Sequence, residues 1–208
     1  MKFENTEVWG FEHALRGMRN PMESWDKSDS YYGNNEIGLE SYVIGSNDMK
    51  LMKTLIKAGP EHRKFLRQIF ISVDITAPLY WWKEFDTYKV GTVADSCSTM
   101  HKLASIPITM DCFEMGDYCG FFETPWKNLI ALLEQCRKEY NETKDKRYWK
   151  ELIRLLPESW LQKRTVTMSY ENVANMYSQR MSHRLTEWSK DFIQWADNLP
   201  YFKELFTV

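Results

Sequence analysis

The 208-residue chain has a formal net charge of −2 and an isoelectric point near 6.1. This near-neutral balance argues against a general nucleic-acid-binding protein, which usually has an excess of Lys and Arg. Hydrophobic residues make up 43% of the chain and charged residues 27%, as is ordinary for a folded protein. No apolar run approaches the roughly 18 residues of a membrane span, and the first residues lack the apolar core of a secretory signal. We therefore expect a cytoplasmic protein with neither a nucleic-acid partner nor a membrane partner.

Aromatic residues are abundant, with 9 Trp, 11 Tyr and 11 Phe. They serve cores, planar-ligand sites and subunit interfaces alike, so their number leaves all three open. The four cysteines, Cys97, Cys112, Cys119 and Cys136, have no paired C-x-x-C spacing, which favours free thiols. A zinc site built from Cys97, His101, Cys112 and Cys119 stays open as an alternative, although its spacing matches no familiar ligand pattern. We expect no metal.

The N-terminal part is predicted to contain a strand, a short helix and a long polar segment. Alternation around Phe3, Val8 and Trp9 indicates the strand, and the helix runs through residues 11–18. Residues 20–47 are rich in Ser, Asp, Asn, Gly and Tyr, which favours a loop with one short element around Leu39–Ile44. A loop of that length inside a compact domain is usually functional or mobile.

The central part is predicted to form a helix, a strand and a second helix. Asp48 is a candidate N-cap of the first helix, and Gly59 ends it. Residues 69–78 are β-branched and partly alternating, which indicates a strand. The segment 78–85 then forms a short helix with Pro78 in its first turn.

The C-terminal part is predicted to be mainly helical around one strand. The predicted helices cover approximately residues 125–146, 145–156, 184–197 and 200–206, and the second of them is stopped by Pro157. Residues 162–169 indicate a strand, and a further helix begins at Ser169 or Tyr170. With no repeat or linker visible, this order of elements predicts one mixed α/β domain over residues 1–208.

The segment Ala77–His101, APLYWWKEFDTYKVGTVADSCSTMH, resembles the signature region of the flavin-dependent thymidylate synthases. The hallmark of that family is R-H-R-x-x-S-x-N-E-x-S-x-R-Y. Thr87, Tyr88 and Lys89 fall at the Arg-His-Arg positions, Thr92 at the first Ser, Ala94 and Asp95 at Asn-Glu, Cys97 at the second Ser, and Thr99 and Met100 at Arg-Tyr. A one-residue slip would instead bring Ser98 and His101 nearer to the closing pair. The preserved chemistry is one hydroxyl, one cation and one carboxylate.

The C-terminal half extends the resemblance. Leu156-Pro157, the strand-to-helix turn Thr167-Met168-Ser169 and the helical Arg180 follow the order of the family's Leu-Pro, Thr-x-Asn and Arg. Ser169 stands in place of the family's Asn, and Glu171 in place of an Arg. Gly59-Pro60-Glu61-His62 is similar to the family's Ser-Pro-x-Glu-His, although it lies several residues farther from the hallmark strand.

The resemblance implies an α+β fold, with a mixed, largely antiparallel sheet surrounded by helices. It also implies methylation of dUMP to dTMP, in which reduced FAD supplies electrons and methylenetetrahydrofolate supplies the carbon. The protein's task is then to hold nucleotide and folate small molecules together and to polarise the pyrimidine. Sites of this family lie between subunits of a homotetramer, so a homo-oligomer is expected.

The same resemblance assigns roles to individual residues. Cofactor binding falls to Thr87, Tyr88, Lys89, Asp95 and His62. Substrate binding falls to Lys83, Glu84, Thr92, Cys97, Ser98 and Arg180, and Arg180 also acts as the catalytic residue that holds and polarises the pyrimidine. Arg suits that role because its planar fork stays charged and makes two parallel hydrogen bonds. The lost Arg-His-Arg cations would have to be replaced, for which Arg63, Lys64, Arg67 and Arg184 are candidates.

Several of these residues also have purely structural interpretations. Trp81 and Trp82 suit a core or an interface as well as stacking on a flavin or base. Arg180, His62 and His183 could be ordinary surface residues. Ser98 suits a helix start as well as a phosphate ligand. Lys89 and Asp95 could pair with each other.

Three functional hypotheses follow. The first is a divergent flavin-dependent thymidylate synthase-like enzyme that binds FAD and a uridine nucleotide. The second is a nucleotide-binding or regulatory protein on the same scaffold that has lost the redox site. The third is another pyrimidine-modifying enzyme that reuses the pocket.

Overall fold

The computed structural model describes residues 1–34, 40–116 and 119–206. The strands are β1 (Lys2–Trp9), β2 (Tyr31–Asn34), β3 (Glu40–Val43), β4 (Phe70–Pro78), β5 (Val93–Ser96) and β6 (Leu161–Ser169). The α-helices are α1 (Phe11–Arg19), α2 (Ser46–Ala58), α3 (Leu79–Phe85), α4 (Thr99–Lys102), α5 (Glu123–Thr143), α6 (Lys146–Leu155), α7 (Tyr170–Arg180), α8 (Ile193–Asp197) and α9 (Phe202–Phe206). Short 3-10 turns occur between them, and a π-helix spans Glu187–Phe192.

The strands form a four-stranded sheet in the order β1-β4-β6-β5 and a separate two-stranded sheet of β2 and β3. The small sheet is antiparallel, with Tyr31 opposite Val43 and Tyr32 opposite Tyr42. In β4 every second side chain is buried, as the alternating sequence predicts. The mixture of helices with antiparallel sheet confirms the expected fold class.

The described residues group into two compact units. The first comprises Met1–Glu4, Asp74–Lys89 and Ala94–Thr165, and the second comprises Asn5–Val73, Val90–Val93 and Val166–Val208. The core of the first includes Phe113, Leu133, Leu152 and Trp160. That of the second includes Leu15, Met52, Tyr170, Trp188 and Phe202. The single domain expected over residues 1–208 stays a prediction, because compactness alone does not decide whether a unit folds independently.

The polar segment 20–47 holds more structure than expected. The short element predicted around Leu39–Ile44 corresponds to β3, except that residues 35–39 lie outside the described ones. Strand β2 was not predicted, because its sequence YYGN gives too few residues for a recognisable alternation. β2 forms by pairing with β3, a tertiary contact that local patterns do not encode.

The predicted N-cap Asp48 is wrong, because α2 begins two residues earlier, at Ser46. The Asp48 carboxylate is buried and accepts hydrogen bonds from Arg19 Nε at 2.7 Å and from Ser28 Oγ and Ser30 Oγ, each at 2.6 Å. Burial acts against the charged form, but these donors and the Arg19 charge outweigh it and lower the pKa of Asp48. Asp48 is therefore an internal anchor rather than a cap.

The helices flanking the hallmark region follow the sequence closely. α3 and α7 begin immediately after β4 and β6, and Pro78 is the N-cap of α3 rather than a residue of its first turn. The long helix predicted from about residue 125 corresponds to α5, and the next one to α6, with Asp145 as its N-cap. β5 was not predicted.

Candidate functional site

α7 begins directly after β6 with the strand-to-helix turn that the sequence predicts. Ser169 Oγ accepts a hydrogen bond from the Asn172 backbone N–H at 3.3 Å, and the Asn172 side chain accepts one from Ser169 N–H at 3.1 Å. This reciprocal capping box satisfies two helix N–H groups. The residue that stands where the resembling family has Asn therefore fixes the helix start.

The hallmark loop is tied to the same turn. Asn172 Nδ2 donates to the Val90 carbonyl at 2.7 Å, and the next residue, Gly91, has φ +78°. A Cβ at Gly91 would lie 3.2 Å from Asn172 Oδ1. Glycine is needed here both for the left-handed backbone and for the close approach. The contact holds the chain just before Thr92, a predicted substrate residue, against α7.

The first turn of α7 carries an ion pair. Arg63 Nη2 lies 3.1 Å from Glu171 Oε1 and also donates to Asn175 Oδ1 at 3.1 Å, while Arg63 Nε donates to Glu171 at 3.2 Å. Both charged side chains are largely buried, at 19% and 9% exposure. Arg63 was a candidate to replace a lost phosphate-binding cation, but in this arrangement its charge is neutralised by Glu171.

Arg180 is the last residue of α7. Its guanidinium carbon lies 4.9 Å from the ring centroid of Trp188, which is fully buried in the π-helix. π-helical turns occur frequently at functional sites. Stacking uses the face of the guanidinium, whereas its N–H donors lie in the plane at the edge. Among the described residues predicted to act on the substrate, Arg180 lies over a buried aromatic ring.

His62 lies in the turn that follows α2 and is exposed. It lines a cavity of about 480 Å³ whose walls include Glu61, Lys64, Met18 and Phe65. A cavity with apolar walls and a few polar groups is the usual form of a small-molecule site. The predicted role of His62 in cofactor binding is compatible with this position. His183 instead accepts the Leu185 N–H at Nδ1.

Four predicted residues surround the end of α3. Lys83 Nζ forms an exposed ion pair with Glu158 at 2.6 Å, and the Glu84 carbonyl accepts the Thr87 hydroxyl at 2.7 Å. The Thr87 hydroxyl therefore bonds to a carbonyl at the end of the preceding helix α3. Tyr88 follows in the same turn, where its N–H bonds the Phe85 carbonyl at 2.9 Å.

Asp95, Cys97 and Ser98 lie on β5 and the turn that follows it. Asp95 and Cys97 are exposed, and Ser98 Oγ accepts the His101 N–H at 3.1 Å as N-cap of α4. This confirms Ser98 as a helix-start residue. Lys89 is also exposed, and no ion pair joins it to Asp95 among the described residues.

Trp81 and Trp82 are core residues, at 0% and 1% exposure. Trp82 donates its indole N–H to the Gln162 carbonyl at 3.0 Å, and the Arg164 guanidinium stacks on its ring at 4.2 Å. Arg164 also forms an ion pair with Asp86 at 2.8 Å. Sequence reasoning missed Arg164, although alternation along β6 places it on the same strand face as Gln162.

No cluster of three or more His, Cys, Asp or Glu side chains that could hold a metal ion occurs within the described residues. The four cysteines are free thiols, with Cys136 buried and Cys97 and Cys119 exposed. None of the described helices is both long and apolar enough to cross a membrane.

The fold is that of the flavin-dependent thymidylate synthases. The flavin-dependent thymidylate synthase ThyX from Helicobacter pylori, solved with FAD and dUMP, is similar with a TM-score of 0.74 and 16% identity, over 100% of this chain and 98% of that chain. A second structure of ThyX from the same organism with FAD and dUMP gives a TM-score of 0.75 at the same identity and coverage. The UMP/dUMP methylase PolB from Streptomyces cacaoi, bound with 5-Br dUMP, has a TM-score of 0.67 and 16% identity, over 99% and 94% of the two chains. No protein-family model and no curated protein matches the chain.

Proposed function

We propose that this chain binds a uridine monophosphate such as dUMP and modifies its pyrimidine ring. The proposal is supported by a fold shared over nearly the whole length with two kinds of enzyme, ThyX and PolB, whose structures contain dUMP or 5-Br dUMP. The observation that supports it at one residue is the position of Arg180, the last residue of α7, whose guanidinium carbon lies 4.9 Å from the ring centroid of buried Trp188.

Arg180 supplies the chemistry that a pyrimidine-modifying site needs. A guanidinium can make two parallel hydrogen bonds to carbonyl or phosphate oxygens and stays charged at neutral pH. Hydrogen bonds to a uracil carbonyl withdraw electron density and stabilise the charge that develops when the ring is attacked. The remaining substrate assignments, to Lys83, Glu84, Thr92, Cys97 and Ser98, are part of the same proposal.

The residues aligned with the flavin-binding hallmark do not fit an FAD diphosphate by themselves. Lys89 is the single cation among Thr87, Tyr88, Lys89 and Asp95, and the Thr87 hydroxyl is donated to Glu84. Asp95 adds a negative charge, which repels a diphosphate. With His62 the set gains at most one more cation. No step of the proposed reaction is therefore routed through a flavin.

The second candidate is methylation of dUMP to dTMP with FAD and methylenetetrahydrofolate. It is favoured by the two ThyX structures, which contain both FAD and dUMP. In this candidate the missing diphosphate cations come from a neighbouring chain of a homotetramer. A flavoprotein of this kind would act in the cytoplasm on nucleotide and folate small molecules.

The first test is binding of dUMP, measured by titration calorimetry. Arg180→Ala should weaken binding by about one to two decades, since a charge-assisted hydrogen bond contributes about 1.5–3 kcal/mol. The affinity of Arg180→Lys for dUMP should lie between those of the wild type and Arg180→Ala, because lysine keeps the charge but lacks the planar pair of donors. Lys190→Ala, an exposed cation on the π-helix, is the matched control. Equal affinity in wild type and Arg180→Ala, or no binding at all, would remove the proposal.

The second test separates the two candidates. Release of tritium from [5-³H]dUMP is followed with and without FAD, methylenetetrahydrofolate and a reductant. Release that requires all three, by a protein that is yellow when purified, supports flavin-dependent thymidylate synthesis. If a colourless protein binds dUMP but shows no flavin-dependent release of tritium, binding of a uridine monophosphate remains supported. Flavin-dependent methylation of dUMP is then excluded.

A further inference from the structure

A second cavity of about 700 Å³ lies within the second compact unit, and none of the described residues that line it is assigned to the nucleotide. We call it the aromatic cavity. It is lined by Val8, Trp9, Gly10, Phe11, Glu12, His13, Tyr32, Ser41, Tyr42, Pro200 and Tyr201. Its size falls in the range of about 300–1,000 Å³ that is typical of small-molecule sites.

Five of the lining side chains are aromatic. Tyr32 and Tyr42 pack edge to face with centroids 5.1 Å apart, and Phe11 and Tyr201 do the same at 5.6 Å. Trp9 stacks on Phe70, outside the cavity, and stays 44% exposed. Tyr32 is 57% exposed, and the faces of aromatic rings carry the negative end of the quadrupole.

Hydrogen bonds hold the walls in place. The Tyr201 hydroxyl accepts from Ile44 N–H at 3.3 Å and donates to the Tyr42 carbonyl at 3.2 Å. The buried Tyr170 hydroxyl donates to the Pro200 carbonyl at 2.7 Å. Tyr201 itself has φ +60°, a left-handed conformation that a non-glycine residue keeps only where its surroundings enforce it. The cavity is therefore preorganised.

The charge of the aromatic cavity is negative. Glu12 Oε2 accepts the Tyr32 hydroxyl at 2.9 Å, and no Lys or Arg occurs among the described residues that line the cavity. His13 Nε2 lies 3.0 Å from the Gln68 carbonyl, so that nitrogen carries the proton. Burial, with the carboxylates of Asp48 and Glu12, raises the pKa of Tyr42. The described lining therefore has no permanent cation that would neutralise a phosphate.

We propose that the aromatic cavity binds a small organic cation with a methylated ammonium head group. Such a group is attracted to the faces of several aromatic rings at once. Because it is large and weakly hydrated, it loses little hydration energy when it leaves water. Glu12 supplies the matching charge at the edge of the rings. A nucleotide is disfavoured here because its phosphate would meet a carboxylate. This site is independent of the proposed nucleotide-binding site.

The test uses choline as the probe and 3,3-dimethylbutan-1-ol, its uncharged isostere, as the matched ligand, both measured by titration calorimetry on the whole chain. Choline should bind at least about tenfold more tightly, because the shapes agree and only the charge differs. Trp9→Ala and Glu12→Gln should each weaken choline binding several-fold. Tyr31→Ala, an exposed tyrosine next to Tyr32 that does not line the cavity, should leave it unchanged.

The proposal is overturned if the isostere binds as tightly as choline, if neither binds, or if Trp9→Ala and Glu12→Gln both bind choline like the wild type. If Trp9→Ala lowers the yield of folded protein, Trp9→Phe, which retains an aromatic ring, is measured in its place. Binding of dUMP by Glu12→Gln is measured in parallel. Loss of choline binding with dUMP binding unchanged shows that the two sites are separate.

Discussion

Arg63 and Glu171 form an ion pair, 108 residues apart in sequence, with Nη2 and Oε1 separated by 3.1 Å. Glu171 stands where the resembling family has an arginine. The structure thus keeps one cation near this turn of α7, but on a different chain segment and with its charge cancelled. Any ligand that uses this turn meets a neutral surface rather than a positive one.

The first prediction concerns the cost of breaking this pair. Arg63→Met should lower the free energy of unfolding by about 2 kcal/mol, because it leaves a buried carboxylate without its cation. The double variant Arg63→Met/Glu171→Met should be less destabilised than the sum of the single variants. Urea unfolding measures all three. As a control, Lys83→Met, which breaks an exposed pair, should cost less than about 1 kcal/mol. Strictly additive effects would contradict a coupled pair.

The second prediction concerns acid stability through Glu134. The Arg137 side chain is the main cause that lowers the pKa of Glu134 from 4.5 to about 2, and the Ile108 N–H adds to the effect. A carboxyl whose folded pKa is depressed stabilises the protein above its unfolded pKa. This contribution is lost as the pH falls from about 4.5 towards 2. Urea midpoints between pH 2 and pH 6 should therefore fall less steeply for Glu134→Gln than for the wild type; parallel curves would refute the assignment.

The third prediction concerns the hallmark loop. Gly91→Ala should destabilise the protein by about 1–2 kcal/mol, since an L-residue is strained at φ +78° and its Cβ crowds the Asn172 side chain. The same change should weaken dUMP binding if Thr92 contacts the nucleotide. Gly120→Ala, where a Cβ meets nothing within 4 Å, is the matched control for thermal unfolding. An unchanged melting temperature for Gly91→Ala would show that the loop is not held by this contact.

The fourth prediction concerns the start of α2. Asp29 accepts hydrogen bonds from Asn47 N–H at 2.9 Å and Asp48 N–H at 3.2 Å, and so caps the helix from a distant loop. Asp29→Ala should cost about 1 kcal/mol, the usual loss for a missing cap. Asp29→Asn should retain part of this stabilisation, because the amide oxygen of Asn also accepts hydrogen bonds from backbone N–H groups. Asp26→Ala, a nearby exposed carboxylate, should have little effect on the urea midpoint.

Most elements of this chain could be predicted from its sequence, because their signals are local. The alternation of β4, the Ser169 start of α7 and the Gly59 end of α2 each depend on residues a few positions apart. The two short strands β2 and β5 could not, since four residues carry too little periodicity to be recognised.

The candidate site was predictable only as a set of positions. Order along the chain located Arg180 and the hallmark loop, but it did not reveal that Arg180 lies over the ring of buried Trp188. Nor did it show that Trp81 and Trp82 are buried core residues rather than stacking surfaces.

The sequence by itself determined most helices, the longer strands and the positions that resemble a nucleotide site, because propensity, capping and periodicity act over a few residues. Only the tertiary structure decided how the charges are partnered. Arg63 is neutralised by Glu171, Asp48 is buried beneath Arg19, and Glu12 joins an aromatic cavity. These outcomes depend on side chains that the fold brings together from distant parts of the chain. A charge that becomes buried in this way is costly unless it is paired.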